Sequence, residues 1–228
     1  MMYLSRIRFT PEGIRAQCRS GVVANPFREH QMIWNLFENT PDQRRDFLYR
    51  REDQPGKPPF YYLLSARRPE ARNDLLMVET KVFEPSLEAG DRLRFELRAN
   101  AVITRKAGDN SKRRIRRDII EARVDQYKVR YPEPADRPPS SVIHQEAAEE
   151  WMQRQGEQHG FEVSELLVAH HRYHKVRKPG DDNLRQFTSI DVFGSLTVTD
   201  AERFAEQLMK GFGRAKAFGC GLMLVRRA

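Results

Sequence analysis

Cysteine is scarce in this chain: Cys18 and Cys220 are its only two, without Cys-x-x-Cys spacing. That excludes a zinc ribbon and a disulfide framework, and it fits a reducing, cytoplasmic setting. Long hydrophobic runs are absent too. No stretch approaches the roughly 20 apolar residues that span a bilayer, and the N-terminus has no apolar signal-peptide core, so a membrane is not an expected partner. Without a Gly-x4-Gly-Lys-Ser/Thr motif, ATP or GTP use is not expected. Acid is the minority charge: 32 Asp and Glu face 40 Lys and Arg, a formal net charge of +8, which favours a polyanionic partner.

The excess is local. Arg105, Lys106, Lys112, Arg113, Arg114, Arg116 and Arg117 crowd one segment against a single acid, Asp109. Such a run is either a solvated loop or a grip on nucleic-acid phosphates. A second cationic segment lies near the end, where Gly211, Gly213, Gly219 and Gly221 surround Arg214 and Lys216. Glycines allow positive φ and close backbone approach, and the two cations would draw an anion. Equally, Gly211 suits the end of a helix and the other glycines a tight turn.

Periodicity supplies the elements. Tyr3 to Phe9 reads as a strand. Asn25-Pro26 opens a helix across Phe27 to Glu38, with Ile33, Trp34, Leu36 and Phe37 on its apolar arc and Pro41 helping to stop it. Strands follow at Phe47 to Arg50, Phe60 to Leu64 and Leu75 to Phe83, with a short helix expected in the polar segment holding Glu70 and Asp74. Later come a strand from Leu93 to Ile103, the basic segment, a proline-rich linker from Tyr131 to Ser141, and a helix from Val142 to Gln155. Strands at Phe161 to Val176 and Leu184 to Val198 precede a helix with a capping box at Thr199-Asp200-Ala201-Glu202, then a last strand at Leu222 to Val225.

Twice this gives β, α, β, β, α, β. The expected class is α+β: two tandem ferredoxin-like (RRM-like) βαββαβ domains, residues 1–88 with a candidate histidine and residues 89–228 with the basic insertion and terminal glycine loop.

Among the histidines, His170 and His174 share one strand face with Arg172 while His171 and Tyr173 take the other. Ligands therefore do not converge locally, and no metal site is expected. His144 and His159 flank a helix and are expected to be exposed. His30, in the first turns of its helix, suits proton transfer near neutral pH, or is simply a partly buried, satisfied histidine.

Met2-Tyr3-Leu4-Ser5, Glu29-His30-Gln31 in a helix with Trp34, Leu97-Arg98-Ala99-Asn100 and the Gly211 to Gly221 loop occur in that order. In this the chain resembles, over nearly its whole length, the CRISPR repeat-cleaving endoribonuclease of type I-E (Cascade) systems, the CasE family. The resemblance implies metal-independent, cofactor-free cleavage of precursor RNA at the base of the repeat hairpin, with the product kept as guide RNA among other Cascade subunits. On it, His30 matches the family's histidine, Lys216 and Arg214 face the phosphate, and Arg98 is a further RNA contact or an ion-paired strand residue. Phe27 stands where the family often has tyrosine, and Ala101 where it often has proline. The alternatives are a hairpin-binding module without turnover, and a general RNA binder, whose expected aromatic pattern is not evident.

Overall fold

The computed structural model describes residues 1–20, 25–38, 43–106, 114–177, 180 and 183–228. The chain forms two compact units, Met1–Ser86 with His174–Phe187 and Ala215–Leu222, and Leu87–Tyr173 with Thr188–Arg214 and Met223–Ala228.

In the first unit, β1 (Met2–Phe9) pairs antiparallel with both β3 (Lys57–Ser65) and β4 (Leu76–Phe83), and β2 (Phe47–Gln54) lies outside β3. The register sets Phe47 against Ser65 and Tyr49 against Leu63. This puts both rings in one core with Ile7, Ile33, Tyr61 and Leu63; a one-residue slip would present Leu48 and Arg50 instead.

Two helices, α1 (Pro11–Ser20) and α2 (Pro26–Trp34), join β1 to β2. The first was not expected from the sequence. Gly13 interrupts its helical propensity, but a Cβ there would stand 2.0 Å from the Leu75 carbonyl oxygen, so close packing against the chain before β4 requires glycine. The short helix expected around Glu70 and Asp74 does not form. That segment is held in irregular form by Arg67, which grips Asp46 through two bonds at 2.8 and 2.9 Å, and by the Glu70 N–H, which donates to the Leu36 carbonyl at 2.9 Å.

The second sheet runs β10 (Met223–Arg227), β5 (Arg92–Ala99), β9 (Leu184–Val198), β8 (Phe161–Arg177). Its strand order matches that of the first sheet, with the first and third strands of the motif at the centre and the second and fourth at the edges, so the architecture is two tandem ferredoxin-like folds. Along β5, Leu93, Phe95, Leu97 and Ala99 are buried and alternate with more exposed residues. They join Trp151 and Met152 of α4 (Ser140–His159) and Phe204 and Leu208 of α5 (Ala201–Lys210) in the second core.

The strand expected to continue to Ile103 breaks at Asn100 and Ala101. There the Asn100 carbonyl accepts from the Arg214 N–H at 3.0 Å and the Ala101 carbonyl from the Ile119 N–H at 3.3 Å. The chain then pairs β6 (Val102–Lys106) antiparallel with β7 (Arg114–Asp118), strands that hold Arg105, Lys106, Arg114, Arg116 and Arg117 of the basic segment.

Asp118 caps α3 (Ile119–Arg130), accepting from the N–H groups of Ile120 and Glu121. This helix was also unexpected. Its buried residues are all near its start, Ile119, Ile120 and Ala122, and its later turns are tied to α4 by polar contacts such as Tyr127 to Glu146 at 2.8 Å. No described helix is long and apolar enough to cross a membrane.

Candidate active site

Asn25 starts α2: its side-chain oxygen accepts from the Phe27 N–H at 2.9 Å, and Pro26 fills the first turn. One face of this short helix buries Ile33 and Glu29. Glu29 accepts from the Tyr61 hydroxyl at 3.1 Å and pairs with Arg51 at 2.5 Å. Burial pushes its carboxyl upward and Arg51 pulls it back, so the helix is pinned to the sheet by a satisfied polar network.

Pinned this way, α2 lays the His30 ring among aromatics, 5.7 Å from Phe47, 5.8 Å from Trp34 and 6.5 Å from Tyr49 between centroids. A surface depression lined by His30, Gln31, Trp34 and Asn35 opens beside it. His30 Nδ1 is buried with no hydrogen-bond partner among the described residues. Burial first, and the Arg45 guanidinium second, drive the imidazole down to about 4. At neutral pH the ring is uncharged and can accept a proton.

Lys216 begins a 3-10 helical turn, Lys216–Phe218, that lies against both α2 and β2 in the same unit. Ala215 precedes it at φ 50°, the one non-glycine residue with positive φ among those described. Tyr49 holds the turn from beneath, its hydroxyl donating to the Ala217 carbonyl at 3.2 Å. Gly219 closes it at φ 78°, where a Cβ would stand 3.3 Å from the Tyr49 ring. Phe218 stacks on Phe187 at 5.5 Å and Phe187 on His174 at 4.6 Å. Burial and the Arg45 charge together lower the Lys216 ammonium. Since Arg45 acts on both His30 and Lys216, the three groups share one electropositive field.

The helix that carries His30 and the turn that begins at Lys216 thus pack against each other within one unit. Arg214 is exposed and belongs with Gly211 and Gly213 to the second unit. Gly211 ends α5, and Gly213 packs so tightly that a Cβ would lie 2.6 Å from the Asn100 carbonyl oxygen. Gly221 has φ 95°. Leu97-Arg98-Ala99-Asn100 is a bracket: Leu97 and Ala99 fill the core, Asn100 binds the Thr188 carbonyl at 2.8 Å and the Arg214 backbone, and Arg98 makes a two-pronged pair with Asp191 at 2.6 and 3.0 Å.

On β7, Arg114 and Arg116 are exposed, and Arg117 is exposed but paired with Asp125. Arg105 and Lys106 lie at the β6 register positions opposite Ile115 and Arg114; Lys112 and Arg113, like Pro41, lie outside the described residues. His144 and His159 are part-buried within α4 instead of exposed, His144 against His171 at 5.2 Å and His159 against Phe212 at 6.2 Å. Among the described residues no three His, Cys, Asp or Glu are grouped to hold a metal ion.

Sequence reasoning missed Tyr49 and Arg45. Tyr49 carries the alternation signal of any core strand residue, and Arg45 sits in a short polar run before β2 with no pattern of its own.

A family model described as CRISPR associated protein matches residues 2–227. The chain is 29% identical over 199 residues to the CRISPR system Cascade subunit CasE of Escherichia coli (strain K12), covering 86% of this chain and 89% of that one. It is 26% identical to the CRISPR-associated endoribonuclease Cse3 of Thermus thermophilus, covering 98% of this chain and 99% of that one. A solved structure of Thermus thermophilus Cse3 bound to an RNA representing a pre-cleavage complex superposes with a TM-score of 0.70 at 25% identity, over 99% of this chain and 98% of that one.

Proposed function

The chain belongs to the CRISPR-associated protein family, and from that premise we propose that it is an endoribonuclease that cuts CRISPR precursor RNA at the base of the repeat hairpin. In this reading it works in the cytoplasm and stays on the mature guide RNA beside other Cascade subunits. Its relatives are named a Cascade subunit and an endoribonuclease. The observation that carries the reading is a neutral, part-buried imidazole held in the same compact unit as a desolvated lysine turn.

The chemistry follows from those two groups. Uncharged His30 accepts the proton of the 2′-hydroxyl next to the scissile phosphate, and the freed oxygen attacks phosphorus. Negative charge grows on the non-bridging oxygens, where Lys216 and the glycine-loop amides stabilise it. The bond to the 5′-oxygen breaks, that oxygen takes up a proton from the His30 imidazolium directly or through water, which returns the ring to its neutral form, and the products are a 2′,3′-cyclic phosphate and a 5′-hydroxyl. Because the nucleophile is the RNA's own hydroxyl, this scheme needs no metal. Arg105, Lys106, Lys112, Arg113, Arg114, Arg116 and Arg117 hold the hairpin through its phosphates, since an A-form duplex hides its base edges in a deep groove. Arg214 and, in competition with Asp191, Arg98 are further contacts to the RNA.

The test is cleavage of a repeat hairpin in EDTA, with and without a 2′-deoxy sugar at the nucleotide 5′ of the break. Cutting of the ribose substrate alone, with a cyclic phosphate in the product, is expected; cutting of the deoxy substrate would discard the mechanism. His30→Ala should bind the hairpin without cutting it. A wild-type protein that binds and never cuts would instead be the hairpin-capture module.

A further inference from the structure

We propose that Arg45 is a catalytic residue, the second cation on the scissile phosphate, its guanidinium donating to a non-bridging oxygen while Lys216 serves the other. This rests on the nuclease reading of His30 and Lys216. Arg45 is part-buried on the segment leading into β2. Its Nη1 donates to the Phe47 carbonyl at 2.7 Å, and its guanidinium carbon lies 5.9 Å from the centre of the Phe47 ring. That same ring is 5.7 Å from the His30 imidazole, so Arg45 and His30 are fixed on one aromatic plate.

Among the described residues no carboxylate compensates Arg45. Arg51 has Glu29, Arg67 has Asp46 and Arg98 has Asp191, and the part-buried Arg137, which also lacks one, spends its guanidinium on two carbonyls, those of Tyr131 and Pro132. The adjacent Asp46 is already held by both prongs of Arg67, and no ion pair of Arg45 occurs among the described residues. One of five N–H donors is used by Phe47. The others are left to a guanidinium that burial already disfavours.

For the fold alone this is a poor arrangement, since Arg45 also opposes charge on His30 and Lys216 and burying an unpaired cation is costly. An anion resolves all three conflicts at once. A phosphorane carries more charge on its non-bridging oxygens than the ground-state phosphodiester, so cations held in place beforehand favour it selectively.

The experiment is single-turnover cleavage of the repeat hairpin by the full chain, wild type against Arg45→Ala and Arg45→Gln. Glutamine keeps a donor for Phe47 and much of the ring contact, and so guards against misfolding. Both variants should cut about 100-fold more slowly or worse, with hairpin affinity changed by less than about threefold. Substrates with sulfur replacing one or the other non-bridging oxygen at the scissile phosphate supply the second readout. Wild type should be slowed most by sulfur at the oxygen that Arg45 serves, and in Arg45→Gln that penalty should shrink toward none. Cleavage near the wild-type rate in Arg45→Gln, or slow cleavage with the sulfur penalty unchanged, overturns the proposal. Failure of the nuclease reading looks different: wild type itself does not cut, or His30→Ala cuts as well as wild type.

Discussion

The Tyr49 hydroxyl donates to the Ala217 carbonyl at 3.2 Å, joining the aromatic floor under His30 to the turn that carries Lys216. Tyr49→Phe keeps the ring and deletes only that bond. Stability should fall by about 1 kcal/mol. Cleavage should fall about tenfold, because a loosened turn misplaces Lys216, while hairpin affinity stays as it was. Thermal melting and single-turnover cleavage on the same preparation check both parts.

The imidazole of His30, driven down to about 4 by burial and Arg45, fixes the acid side of the pH profile. Proton acceptance needs the neutral ring, and a lowered pKa keeps the ring neutral further into acid. The acid limb of kcat/KM should therefore break near pH 4. With an ordinary histidine near 6.5, roughly a tenth of the enzyme would remain competent at pH 5.5. The sign for stability is opposite. Between pH 6.5 and about 4 the unfolded chain binds this proton more readily than the folded one, so acid weakens the fold across that window. His30→Phe should flatten that part of a pH series of urea midpoints.

The elements that sequence reading recovered were those whose own side chains declare them. The alternation in β5 and the capped, amphipathic α5 need no partner to be recognised. Those it missed depend on something distant in the chain. Gly13 is allowed in α1 only because the Leu75 carbonyl must come close, and α3 is supported along its length by polar contacts to α4. The strand ending at Ala99 is cut short by Arg214, more than a hundred residues later. Of the proposed site, His30 and Lys216 were singled out through the family resemblance of their motifs. Arg45 was not, because what marks it is the absence of a carboxylate in space, and a sequence shows only neighbours along the chain.

Asp191 holds Arg98 with two bonds in a largely buried pair, and Arg172 approaches it at 3.5 Å. Asp191→Ala would strand the Arg98 charge, and the fold should lose about 3 kcal/mol. Hairpin affinity separates two roles for Arg98. Asp191→Asn should tighten RNA binding if the released guanidinium reaches phosphate, and leave it unchanged if the pair is purely structural.

Arg114 and Arg116 are exposed on β7 and lie on the same face of that strand, two residues apart. Replacing both by Ala should leave melting within about 0.5 kcal/mol of wild type. The slope of log affinity against log salt should fall by roughly one for each phosphate that these arginines neutralise in the wild type. An unchanged slope would move the hairpin grip elsewhere.

Asn25 caps a helix of nine residues, and His30 lies within its second turn. In so short a helix the cap holds a large share of the backbone that aims the imidazole, because few internal bonds stand between the fraying end and the ring. Asn25→Ala removes the acceptor for the Phe27 N–H and should cost about 1 kcal/mol. The kinetic loss should fall on kcat, several-fold, with KM little changed, since the cap positions a reacting group and touches no part of the hairpin grip. Asn25→Asp keeps an acceptor at the positive end of the helix dipole and should restore both stability and kcat. Recovery of stability without recovery of kcat would show that the cap serves the fold alone, and that His30 is aimed by its aromatic neighbours.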